Sequence, residues 1–141
     1  MFADHFYIML AELWVGSLYA VLQSVVSRRL TSDPEVLSLH RDLSFLRTGL
    51  EKHEVPKDKA IKKKLGADKL SFRPFGAPAE TAATYDYVGN DPMRSHIVPK
   101  QVTLDGILGW HVLDLEAQKD YWVYRLHLAD RFLALPGVIA R

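Results

Sequence analysis

The run FYIMLAELWVGSLYAVLQSVV, Phe6 to Val26, is apolar on almost every side and is interrupted only by Glu12, Ser17, Gln23 and Ser24. A helix that is hydrophobic all round packs on several partners at once, so this segment predicts a buried helix. Its length would also suit a membrane span, with Arg28 and Arg29 as a positive flank. Against a span stand Glu12, which costs about 2.5–3.5 kcal/mol at a bilayer centre on insertion scales, and the lack of a cationic stretch ahead of the run. No membrane span is expected, and a cytoplasmic location is.

Thr31, Ser32 and Asp33 are N-cap residue types, Pro34 suits a first helical turn, and Glu35 places negative charge at the positive helix end. A second helix therefore starts here. Leu39, Leu43, Leu46 and Leu50 follow at offsets of four, three and four, one stripe of a 3.6-residue period. The short Thr-Ser-Asp-Pro connection predicts an antiparallel helical hairpin.

Periodicity fades beyond Glu51. SFRPFGAPAETAAT, broken by Pro74, Gly76 and Pro78, reads as a long loop, and Gly89 to Pro92 marks a turn. Pattern returns near the C-terminus. Tyr121, Val123, Arg125 and His127 alternate with Trp122, Tyr124, Leu126 and Leu128, and Trp110 to Leu115 alternates similarly, with Glu116 to Asp120 as a connection of hairpin length. The branched and aromatic content favours a β-hairpin over residues 110–128. Tyr121, Tyr124, Leu128 and Phe132 also fit a helical stripe, so a third long helix stays open. Ala129 to Leu135 is helical on either reading and ends at Pro136 and Gly137. The expected fold is a single α+β domain over residues 1–141, with an N-terminal antiparallel helical hairpin, a basic linker region, and a C-terminal β-hairpin and short helix. The alternative is an all-α bundle.

Composition narrows the function classes. A chain of 141 residues with 48% hydrophobic and 25% charged residues has an ordinary globular mixture and can bury one real core. The absence of cysteine excludes disulfides, thiolate metal sites and a cysteine nucleophile. Charge is uneven. Between Lys52 and Arg73 eight basic residues face three acidic ones, a net +5 in a chain whose total is +1. Lys57, Lys59, Lys62, Lys63, Lys64 and Arg73 are the candidate nucleic-acid contacts, with Phe72 and Phe75 as stacking faces. The plain alternative is a short solvated helix, Pro56 to Leu65, stopped by Gly66.

The stretch LRTGLEKHEV carries the only catalytic candidates, Arg47 and His53, with Thr48 to Lys52 between them. The spacing, at the end of a helical hairpin, resembles the HEPN family of helical-bundle proteins, whose ribonuclease members carry an arginine and, a few residues later, a histidine near a helix end. The resemblance implies metal-independent RNA cleavage. His53 would act as general base toward a ribose 2′-hydroxyl, and Arg47 would hold the phosphate. No cofactor or metal is implied. Six residues along one regular helix turn the two side chains about 120° apart, so they converge only if the helix breaks near Gly49 or if two chains share a cleft. The family uses the second route, which makes a homodimer part of the expectation.

Helix-end chemistry explains the same residues without catalysis: Arg47 pairs with Glu51 at i,i+4, and His53 continues the apolar stripe. The rival function is accordingly a non-catalytic oligomeric interaction module with no nucleic-acid role. His40 stands seven residues before Arg47 on nearly the same helical face and is a further polar candidate. The His-x-x-Asp pairs His111/Asp114 and His127/Asp130 would suit a metal on helices, but on strands an offset of three points them to opposite faces, and no metal site is expected.

Overall fold

A computed structural model describes residues 2–52, 55–57, 69–72, 83–86, 100–117 and 119–136. Among these lie helices α1 (Phe2–Ser27), α2 (Pro34–Glu51) and α3 (Arg125–Leu133) and strands β1 (Lys69–Phe72), β2 (Ala83–Asp86), β3 (Lys100–Val102), β4 (Leu108–Asp114) and β5 (Lys119–Tyr124). The fold is mixed α+β, with an N-terminal helical pair and a C-terminal hairpin plus short helix. The all-α alternative is overturned, because β4 and β5 form a continuous antiparallel ladder from Gly109↔Tyr124 to Asp114↔Lys119.

Local chemistry starts α2 where the sequence places it. Asp33 is the N-cap, its Oδ1 accepts the Glu35 N–H at 2.8 Å, and Pro34 follows at a position where its missing N–H costs nothing. The leucine stripe then closes on α1. Leu39, Leu43 and Leu46 are fully buried against Ala11, Val15, Leu18 and Leu22, with Leu50 packed at the margin. Contacts run Gln23 to His40, Tyr19 to Arg47 and Gly16 to Glu51, so the two helices are antiparallel.

β3, β4 and β5 form a three-stranded antiparallel sheet in that order. Alternation along β4 turns Leu108, Trp110, Val112 and Asp114 toward the helices, and Val123 and Tyr121 of β5 join them. The polar side of α2 then clamps the hairpin and α3. Arg41 Nη2 donates to buried Asp114 Oδ2 at 2.5 Å, and Asp42 accepts from the Tyr121 hydroxyl at 3.1 Å and from Arg131 Nη1 at 2.6 Å. Glu12 of α1 pairs with Lys100 of β3. Burial first, and then the Asp42 charge, push the Tyr121 phenol well above its ordinary range, so it stays a neutral donor.

Three expectations need correction. The alternating stretch does not remain a strand to Leu128: Tyr124 is the extended N-cap residue of α3, which begins at Arg125. The ladder has little left to pair with there, since β4 opens at Leu108, opposite the residue after Tyr124. Both periods fit this window, and Leu128 is buried from a helix. The loop SFRPFGAPAETAAT is not loop throughout. Ser71 and Phe72 end β1, Ala83 and Thr84 begin β2, and the two strands pair antiparallel from Lys69↔Asp86 to Phe72↔Ala83. Finally, a helix from Pro56 cannot run through Lys57, whose φ of 61° is left-handed. The rest of Pro56–Leu65, and the Gly89–Pro92 turn, lie outside the described residues.

Candidate functional site

The described polar side chains with the most chemistry near LRTGLEKHEV gather in a groove between α1 and α2. Two small residues, Gly16 and Ala20, form its floor on α1, and Tyr19, Gln23, Arg47 and Glu51 line it around a volume of about 610 Å³. A Cβ at Gly16 would stand 2.7 Å from Glu51 Oε1, so the missing side chain is what lets the carboxylate lie in the groove.

Helical spacing positions the rest. His40 and Arg47 lie about 20° apart around α2 and about 10.5 Å apart along it. The Tyr19 ring fits between them: the His40 ring stacks at 5.2 Å with an interplanar angle of 21°, and the Arg47 guanidinium sits 4.7 Å from the ring centre. Gln23 Oε1 accepts the Tyr19 hydroxyl at 2.8 Å and lies 2.7 Å from His40 Nε2. With that oxygen as acceptor, the His40 proton sits on Nε2 and Nδ1 is left as the basic nitrogen. Burial lowers the His40 pKa, so the imidazole is neutral at physiological pH.

Arg47 is engaged within its own helix. Its Nε donates to Glu51 Oε2 at 2.6 Å, the i,i+4 pair expected from the sequence, and this bond is the first cause holding the guanidinium above its usual pKa. The side chain is 36% exposed. The arrangement is that of a cation with a counter-ion and a ring already in place, open to the groove on one side.

The other candidates separate. His53 lies outside the described residues, as do Lys59, Lys62, Lys63, Lys64 and Arg73. Lys57 pairs with Glu116 in the β4–β5 turn. His111 and Asp114 are on opposite faces of β4, as strand geometry requires, and each has another partner: His111 Nε2 meets buried Asp120, and Asp114 meets Arg41. His127 and Asp130 share α3, a helix where a strand was expected for His127, and both are exposed. Among the described residues no group of three or more histidines and carboxylates is placed to hold a metal ion.

Because His40 resists protonation in the fold, it carries a pH signature. Its folded pKa lies below the unfolded value of 6.5, so between the two the unfolded chain binds more protons. The stability it contributes is present above about pH 6.5 and is lost as pH falls through the folded value. The melting-temperature advantage of the parent over His40→Gln is therefore expected to shrink between pH 7.5 and 5. A gap that stays constant across that range would rule the effect out.

No protein-family model, curated protein or solved structure matches the chain.

Proposed function

We propose that the protein is a non-catalytic homodimeric interaction module assembled through α1. The observation that carries this reading is a continuous exposed apolar row on that helix: Phe6, Met9, Leu10, Leu13 and Val21 are all solvent-facing, while Ala11, Val15, Leu18 and Leu22 on the other side are in the core. Offsets of three and four join the row through Ser17 and Ala20 into one stripe about 22 Å long. A groove of about 480 Å³ lined by Met9, Leu13, Gly16 and Ala20 of α1 and Leu50 of α2, with Glu12 and Glu51 as its charged groups, runs beside it. Uncharged, self-complementary rows of this kind suit a two-fold interface, in which the same patch serves both copies.

The segment Asp4–Ser27 is long and apolar enough to cross a membrane, and only 22% of its apolar window is buried within the protein. A second copy is favoured as the cover because one side of α1 is already committed to α2 and the sheet and because Glu12 is paired with Lys100. Multi-angle light scattering at micromolar concentration is expected to give twice the 16.0 kDa chain mass. A monomer mass would remove this reading, and a monomer that floats with lipid vesicles would put a membrane surface in its place.

One observation favours a second reading, RNA cleavage of HEPN type. The Arg47 groove and the groove beside the apolar row share Gly16, Ala20 and Glu51, so pairing through α1 would bring the Arg47 side chains of both copies toward one cleft. With the guanidinium engaged by Glu51 and Tyr19, the parent protein is expected to leave RNA intact in EDTA. Cleavage that falls roughly 10²- to 10⁴-fold in both Arg47→Ala and His53→Ala would establish the enzyme instead.

A further inference from the structure

The exposed row on α1 is uneven along its length. Its N-terminal half is large, with Phe6, Met9, Leu10 and Leu13, and its C-terminal half is small, with Ser17 and Ala20, while Val21 stands about 80° to one side of Leu13 around the helix. Over the small half the surface is hollow. Ala20 lines both the groove beside Tyr19 and Arg47 and the groove beside Leu13 and Leu50.

The polar groups around that hollow are satisfied inside the chain. Ser17 Oγ donates to the Leu13 carbonyl at 2.9 Å, so burying the hydroxyl leaves no hydrogen bond unmade. Glu51 is paired with Arg47, and Glu12 with Lys100. An uncharged, apolar occupant therefore fits the hollow better than a cation.

We infer that the large half of α1 from a second copy fills it, with the two helices antiparallel about a two-fold axis at Leu13. This arrangement rests on the α1 dimer proposed above and adds its direction and register. Phe6 and Ala20 stand seven residues to either side of Leu13, so the partner's Phe6 comes level with Ala20, the partner's Leu10 lies next to Ser17, and Leu13 meets its own copy. Large residues face small ones everywhere except on the axis. Positions seven apart drift by about 20° around the helix, which a shallow crossing of about 20° takes up. A parallel pair would instead set Phe6 on Phe6 and leave the hollow open. Charge favours the same direction. The first turn of α1 carries Asp4, and Arg28 and Arg29 follow its last turn, so antiparallel helices set unlike ends and opposed dipoles side by side.

A size exchange in the full chain tests this, read as the dimer dissociation constant from light scattering over a dilution series. Ala20→Phe puts two rings in one place, Phe6→Ala empties the hollow, and each is expected to weaken the dimer about tenfold or more. Both positions are exposed in the protomer, so the circular dichroism spectrum is expected to stay unchanged. Phe6→Ala/Ala20→Phe again sets large against small, and its dimer is expected within about threefold of the parent rather than at the product of the two losses. The chain has no cysteine, so introduced thiols report direction. Phe6→Cys mixed with Ala20→Cys is expected to form an inter-chain disulfide that neither forms alone, because like positions lie about 21 Å apart along the axis and a disulfide needs Cα atoms within about 7 Å. Single variants that dimerise like the parent, losses that multiply in the double variant, a disulfide in either cysteine variant alone, or none in the mixture would each overturn the antiparallel register while leaving a dimer mass to support the dimer. A monomeric parent removes both, and one that floats with phosphatidylcholine vesicles puts a bilayer over the row instead.

Discussion

Trp110→Ala is expected to cost about 3–5 kcal/mol of unfolding free energy, the range for deleting a large aromatic side chain from a packed core. Trp110 is completely buried at the centre of β4's helix-facing side, between Leu108 and Val112, with Val123 opposite it on β5. Here α1, α2, the sheet and α3 contribute to one core, and alanine would leave a void that no single element can close. Domains of this size are stable by about 5–15 kcal/mol, so the loss is a large part of the total. Trp110→Phe separates volume from polarity. The indole Nε1 is buried without a hydrogen-bond partner among the described residues, a cost of about 1–3 kcal/mol that phenylalanine removes. The phenylalanine variant is therefore expected to stay within about 1 kcal/mol of the parent in urea unfolding, despite its smaller ring. A phenylalanine variant as unstable as the alanine one would show that the indole nitrogen is satisfied after all.

How much of this was legible in the sequence differs element by element, for physical reasons. α2 was legible because its cap and its stripe are local: Asp33, Pro34 and the leucines each act within one or two turns. α1 was legible as a helix but not in its orientation. A helix apolar all round does not choose a face, and Ala11, Val15, Leu18 and Leu22 face the core because α2 and the sheet lie on that side. The hairpin was legible from its aromatic and branched residues. Its end was not, because Arg125 to Leu128 satisfies both periods and the length of β4 decides between them.

The candidate sites divide in the same way. The Arg47–Glu51 pair could be read from an i,i+4 offset, whereas the Tyr19–Gln23–His40–Arg47 cluster joins residues brought together only when the helices dock. The one signal for it was the seven-residue spacing of His40 and Arg47. The pattern His-x-x-Asp drew attention from His111 to Asp114, on the wrong face. The real partner, Asp120, comes from the neighbouring strand, two register pairs along and on the same face.

The largest expected effect on assembly comes from Leu13→Glu. Leu13 is 62% exposed in the protomer and sits mid-row between Leu10 and Ser17, so it adds little to the fold while standing near the centre of the proposed interface. In a two-fold dimer each substitution enters twice, so two leucine contacts are lost and two carboxylates face burial without partners. Losing about 1.5–3 kcal/mol of transfer free energy at each site already weakens the dimer by roughly 10²-fold or more, before any repulsion between the two charges. The variant is expected to run as a monomer at concentrations where the parent is a dimer, with a far-ultraviolet circular dichroism spectrum unchanged. Leu104→Glu provides the contrast: Leu104 is fully exposed, but it belongs to the β3–β4 turn and not to the α1 row, and its dimer should be intact. If both variants dimerise like the parent, the interface is elsewhere and the exposed row on α1 has another role.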